Sequence, residues 1–178
     1  MKVDPQINAV AAPRLLGLAP LVASNTRLLI LGSFPGVASL VAQQYYGHPQ
    51  NHFWSILTAI FASNPRPQCI SSYEKRSKWL LEQGLGVWDV YASCERTGSL
   101  DSAIRNAEVN DFASLVRRCP KLVAIAHNGA ESYKHAKHTA TLGLPIYKLP
   151  STSPANASCS FERKLAAWRE VMAAAGLV

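Results

Sequence analysis

Side chains suited to chemistry crowd one short stretch of this 178-residue sequence. Residues 43–54 read Gln-Gln-Tyr-Tyr-Gly-His-Pro-Gln-Asn-His-Phe-Trp, with no formal charge while histidine is neutral. The rings of Tyr45, Tyr46, Phe53 and Trp54 offer flat surfaces for stacking. The carboxamide of Asn51 can donate and accept hydrogen bonds but cannot take up a proton at neutral pH.

Three further segments carry polar groups in turns. "GSFPGVASL" (32–40) begins with Gly32, Ser33 and Phe34, and its glycines and proline let the backbone turn sharply and present N–H groups to a ligand; an ordinary strand-to-helix turn is the alternative. It lacks the Lys-Ser/Thr ending of a P-loop and the third glycine of a dinucleotide fingerprint. "HNGAESYKHAKH" (127–138) places Asn128 before Gly129, as a turn former or as a carboxamide facing a pocket. "LPSTSPANAS" (149–158) sets Ser151, Thr152, Ser153, Pro154 and Asn156 where hydroxyls and backbone N–H groups can bond phosphates, or simply form a connection. Asp89, in Trp-Asp-Val, is the carboxylate nearest a strand end. It has an electrostatic or water-activating reading, and a structural one of hydrogen bonds to loop N–H groups.

These segments follow predicted strands. "RLLILG" (27–32) is a continuous apolar run suited to a strand buried on both faces, and "GVWDVY" (86–91), "LVAIAH" (122–127) and "PIYKL" (145–149) are similar. Helical spacing separates them, over 51–62, 72–84 with Ser72 as cap, 110–119 and 160–176. Alternation of this kind predicts an α/β fold, a single three-layer domain spanning 1–178 with a mostly parallel sheet between helices. Ligands of such sheets sit beyond the carboxyl ends of the strands, where the polar segments fall.

Composition agrees. With 48% hydrophobic and 16% charged residues, the chain can bury a sizeable core. Its 18 Lys and Arg against 11 Asp and Glu leave +7, which favours a polyanionic partner. Lys134, His135, Lys137 and His138 crowd one segment, and Lys148, Arg163 and Lys164 flank the Ser-Pro loop. Cysteines at 69, 94, 119 and 159 are too far apart for a close-spaced metal or iron-sulfur ligand set, so free buried thiols in a reducing compartment are expected and no metal is. Asp4, Pro5 and Asn8 interrupt any signal-peptide pattern, and no run reaches the roughly 18 apolar residues of a membrane span. A soluble, cytoplasmic protein is the expectation.

Taken together, "GSFPGVASLVAQQYYGHPQNHFW" resembles the first motif of the uracil-DNA glycosylase superfamily, and "LPSTSPAN" its second, DNA-gripping motif. The resemblance is strongest to the DNA-deoxyinosine (hypoxanthine-DNA) glycosylase branch, through Tyr-Tyr-x-His-Pro-x-Asn-x-Phe-Trp, "WDV" (88–90) and "GSLDSAI" (98–104). It spans residues 27 to about 156.

The resemblance implies a monofunctional glycosylase that flips a deaminated base, hypoxanthine or also uracil, out of double-stranded DNA and cuts its bond to the sugar. It implies a monomer with no cofactor. Phe53 matches the ring that stacks on the flipped base, with Tyr45 or Tyr46 closing the other side. Where the mismatch-specific branch places a water-holding Asn, this chain has Phe34, so Asn51 takes that role, orienting water and stabilising the cationic sugar. His48 contacts the departing base or a phosphate, or only holds its turn. Asn128, or backbone groups of Ser33 and Phe34, pair with the lactam edge of the base. A mismatch uracil glycosylase and a non-catalytic nucleic-acid-binding module are the rival readings.

Overall fold

The computed structural model describes residues 12–62 and 72–178; Cys69 and the segment holding Asp4, Pro5 and Asn8 lie outside the described residues. Four strands form a parallel sheet: β2 (Leu28–Gly32), β3 (Leu85–Asp89), β6 (Ala124–Asn128) and β7 (Ile146–Leu149), in the order β3-β2-β6-β7. Every residue of β2 and β6 is buried, which is why these strands read as unbroken apolar runs.

Alternate residues of β2 feed two cores. Leu28 and Ile30 face the cluster built with α2 (Phe53–Ile60), α3 (Tyr73–Glu82) and α7 (Phe161–Ala174). Leu29 and Leu31 face the other, with Phe112 and Leu115 of α4 (Phe112–Arg117). These are the three layers expected from the sequence. Ser72 caps α3 through Lys75 N, as its position predicts.

A second, antiparallel sheet was not expected. It pairs β4 (Tyr91–Glu95) with β1 (Arg14–Leu16) on one side and β5 (Arg105–Val109) on the other. Its chain leaves β3 after a single residue, Val90. The segment 32–40 also holds a helix, α1 (Val37–Ala42), and the Lys- and His-rich segment after β6 divides into α5 (Ala130–Tyr133) and α6 (Ala136–Ala140).

Register brings the functional ends together. Gly32 pairs with Asp89 across β2 and β3, and Asn128 with Leu149 across β6 and β7. From β2 the chain moves to β3 on one side and later to β6 on the other, so a crevice opens at the carboxyl end of β2.

Candidate active site

A cavity of about 350 Å³ occupies that crevice, within the range of small-molecule sites. Its lining combines Gly32 to Gly36, Tyr46, His48 and Asn51, Asp89, Ser99 to Ser102, Asn128, and Ser151 to Ala155.

The flat wall is Tyr46. Its ring lies on Phe53 with centroids 3.8 Å apart and planes 16° from parallel. Tyr46 also has φ +53°, a left-handed conformation that costs a bulky residue energy and persists only where the surroundings enforce it. Here the stack on Phe53 and a hydrogen bond from Asn128 Nδ2 to the phenol oxygen (3.1 Å) enforce it.

One side of the cavity is extensively hydrogen-bonded. Thr152 N donates to Asn128 Oδ1 (3.0 Å), and Asn128 Nδ2 donates to Thr152 Oγ1 (3.0 Å). A backbone N–H can only donate, so this contact fixes which end of the carboxamide is oxygen. His52 N donates to Thr152 O (3.0 Å), tying the Ser-Pro loop to the aromatic segment. Asn156 Nδ2 donates to Ser151 O (3.1 Å) and Asn156 N to Ser153 O (3.0 Å), bracing the loop from within.

The opposite side is not. Asp89 is 5% exposed, and its Oδ2 has no hydrogen-bond partner. Burial, then the nearby Asp101 carboxyl, push its pKa up to about 7, against a smaller opposing pull from Arg96. Arg96 is itself buried. It donates to Pro35 O and lies over the Phe34 ring (5.1 Å), while its Nε and Nη1 have no partner. Ser33 Oγ donates to Asp101 Oδ1 (2.7 Å), and Val37 N donates to Ser99 Oγ (2.9 Å), so residues 99–102 fold over the glycine turn as a roof.

This pocket, at a strand switch and between a glycine turn and a Ser-Pro loop, is built from segments that a single family model spans. That model, the uracil DNA glycosylase superfamily, matches residues 19–172. The chain belongs to the uracil-DNA glycosylase superfamily. A hypoxanthine DNA glycosylase from Methanosarcina acetivorans is 37% identical over 148 residues, covering 83% of this chain and 92% of that protein. One of the same name from Methanosarcina barkeri is 34% identical over 154 residues, covering 86% and 95%. The solution NMR structure of a Methanosarcina acetivorans protein assigned provisionally as a uracil DNA glycosylase superposes with a TM-score of 0.80 at 35% identity, over 92% of this chain and 99% of that one.

The structure of this chain places several of the residues singled out in the sequence differently from expectation. Phe53 is 0% exposed, covered on one face by Tyr46 and met edge-on by Trp54 and Trp168. A base cannot reach it without displacing Tyr46, so the stacking surface is Tyr46 and Phe53 backs it. Tyr45 lines the cavity but anchors its phenol on the carbonyls of Leu18 and Ala19. Thr152 is 0% exposed, with its N and O bonded and its Oγ1 accepting from Asn128, so it belongs to the frame of the pocket. Asn156 spends its amide on the loop. Asn128 does face the cavity, but Tyr46 and Thr152 take up both N–H donors, so it holds the frame and cannot pair with a lactam on both atoms. Lys164 is 1% exposed on α7 and stands apart from the exposed basic surface.

Gly32, Ser33, Phe34, His48, Asn51, Ser151, Ser153 and Pro154 line the cavity. Asn51 Oδ1 accepts from Phe53 N (3.0 Å), which aims the side chain at the start of α2 and leaves a second lone pair on the oxygen. His48 Nδ1 accepts from Gln50 N (3.2 Å), so it holds its turn as well as lining the site. The roof residues Ser99, Leu100, Asp101 and Ser102 were missed as site residues. The Gly-Ser-Leu-Asp motif marked the segment, but nothing in its composition says that it returns over the first loop. No three His, Cys, Asp or Glu side chains converge as metal ligands among the described residues, and none of their helices is long and apolar enough to cross a membrane.

Proposed function

We propose that this protein is a monofunctional DNA glycosylase that releases hypoxanthine, or also uracil, from double-stranded DNA, acting as a cytoplasmic monomer and leaving an abasic site. The observation that carries the reading is the Tyr46 face, held in a strained conformation over Phe53 and opening on a cavity of about 350 Å³ that has room for a flat heterocycle. A base pulled from the duplex stacks on Tyr46 beneath the roof of residues 99–102. Backbone groups of Ser33 and Phe34 meet its lactam edge, and Asn51, through its remaining lone pair, orients a water toward the sugar carbon. Ser151, Ser153 and Pro154 at the rim meet the DNA strand.

No lysine lies in the first motif to form a Schiff base, so strand cleavage is not part of the reaction. The test is base release from a labelled duplex carrying one deoxyinosine or one deoxyuridine, read as strand breaks after alkali. Asn51→Ala is expected to lose about a hundredfold or more of the deoxyinosine activity. Inactivity of the folded wild-type chain on both substrates, with salt-sensitive binding intact, would instead establish a binding module. A covalent adduct trapped by borohydride would contradict the monofunctional assignment.

A further inference from the structure

Base release leaves one chemical demand unmet by the residues so far. A purine expelled from its sugar departs with the bonding electrons, and an asparagine-held water does nothing to neutralise that charge. Asn51 has no titratable proton. His48 is solvent-exposed and uses Nδ1 to hold the Pro-Gln turn.

Asp89 stands where such a group is needed. It ends β3 in register with Gly32 and lines the cavity. A Cβ at position 32 would come within 2.4 Å of Asp89 Oδ1, so the glycine lets the carboxyl lean across the end of β2. Its Oδ2 is buried and bonded to nothing. An unsatisfied buried carboxyl costs stability, and a base bound in the cavity would give this one a partner.

Its surroundings favour the neutral form. The phenols of Tyr45 and Tyr46 approach from the aromatic segment and the Asp101 carboxyl from the roof. Arg96, beyond β4, is the facing cation; it is held on Pro35 O and the Phe34 ring and makes no ion pair with Asp89.

We propose that Asp89 is the general acid of base release, donating its proton to an acceptor atom of the bound purine as the bond from base to sugar breaks. The electron pair of that bond goes to the base, which takes the proton and leaves neutral. The Asp89 carboxylate remains beside the cationic sugar. Water adds its oxygen to the sugar carbon, and the proton it loses restores the acid. The assignment rests on the glycosylase reading above.

The pKa raised to about 7 makes the inference testable by pH. Single-turnover release of hypoxanthine would be followed from pH 5.5 to 9 for the wild type, Asp89→Asn and His48→Gln, with melting temperatures recorded for each. The wild-type rate should be level at low pH and fall about tenfold per unit above pH 7, and the break should persist in His48→Gln. Asp89→Asn should lose on the order of a hundredfold at pH 6 and show no break. A wild-type rate that rises with pH, a break abolished by His48→Gln, or an Asp89→Asn rate within threefold of the wild type would overturn the role. The wild-type profile decides the matter even if Asp89→Asn does not fold. Absence of release by the wild type at every pH would instead overturn the glycosylase reading and take this one with it.

Discussion

The two sides of the pocket differ in how their polar groups are spent. Around Asn128 and Thr152 both ends of the carboxamide are hydrogen-bonded, and these bonds lock β6 to the Ser-Pro loop and to Tyr46. Around Asp89 and Arg96, three buried polar atoms have none. Both sides are equally concealed from solvent, so burial alone does not separate frame from chemistry. The unbonded side is the one that gains when a ligand arrives, and it lowers the stability of the empty protein.

This contrast predicts substitutions of opposite sign a few residues apart in space. The largest effect should come from Asn128→Ala, which strands Thr152 N and Oγ1 in a buried site and frees the Tyr46 phenol. A loss of about 3 kcal/mol, or roughly 10 °C in melting temperature, is expected. Activity should fall too, because the Ser-Pro loop loses its tie. Retention of full stability would show that the frame does not depend on this carboxamide.

Asp89→Asn should do the reverse. The folded pKa of Asp89, about 7, lies above its unfolded value near 3.8. From about pH 4 to 7 the unfolded chain therefore binds fewer protons than the folded one, and stability falls as pH rises through that window. An amide does not ionise and escapes this loss. The variant should melt several degrees higher than the wild type at pH 8, with the gap closing by pH 4. A gap independent of pH would mean that Asp89 is not held neutral.

Much of the frame was legible in the sequence. The four parallel strands are continuous apolar runs because both faces of each are covered, and the polar segments after them do converge. The antiparallel sheet was not legible, since Tyr-Ala-Ser-Cys-Glu and Arg-Asn-Ala-Glu-Val mix polar and apolar residues without a clear period. The choice of stacking ring was equally hidden. Tyr46 and Phe53 stand seven positions apart, both aromatic, and which faces the cavity depends on a left-handed turn at Tyr46 that spacing does not encode. Asp89 was visible as a carboxylate at a strand end, but its lack of partners belongs to the packed structure alone.

Gly32→Ala gives a smaller effect that couples the strand to the acid. The added methyl meets Asp89 Oδ1 at 2.4 Å and the Tyr46 phenol at 3.6 Å, so the carboxyl must swing away. A stability cost of about 1 kcal/mol is expected, with activity down by roughly tenfold. In the Asp89→Asn background the same glycine change should cost little further activity, because both act on one group. Full additivity of the two losses would place the effect of Gly32 elsewhere, at the backbone that meets the base.

The smallest effect carries the same distinction to the surface. Lys134 is already paired with Glu131, whereas Lys148 has no acid within ion-pair distance among the described residues and lies over the Tyr133 ring beside the Ser-Pro loop. A lysine without an acidic partner is free to neutralise a phosphate and release a counterion. Lys148→Ala should reduce the slope of log affinity against log salt by about 1 and weaken duplex binding by less than tenfold at moderate salt. Lys134→Ala should leave that slope nearer the wild-type value, since its charge is already balanced. Binding of both variants to a duplex with a non-cleavable abasic analogue, measured across a salt series, separates the two lysines. Equal slopes would mean that DNA approaches from the aromatic side, past His48 and Gln50, and does not cross the face that Lys148 occupies.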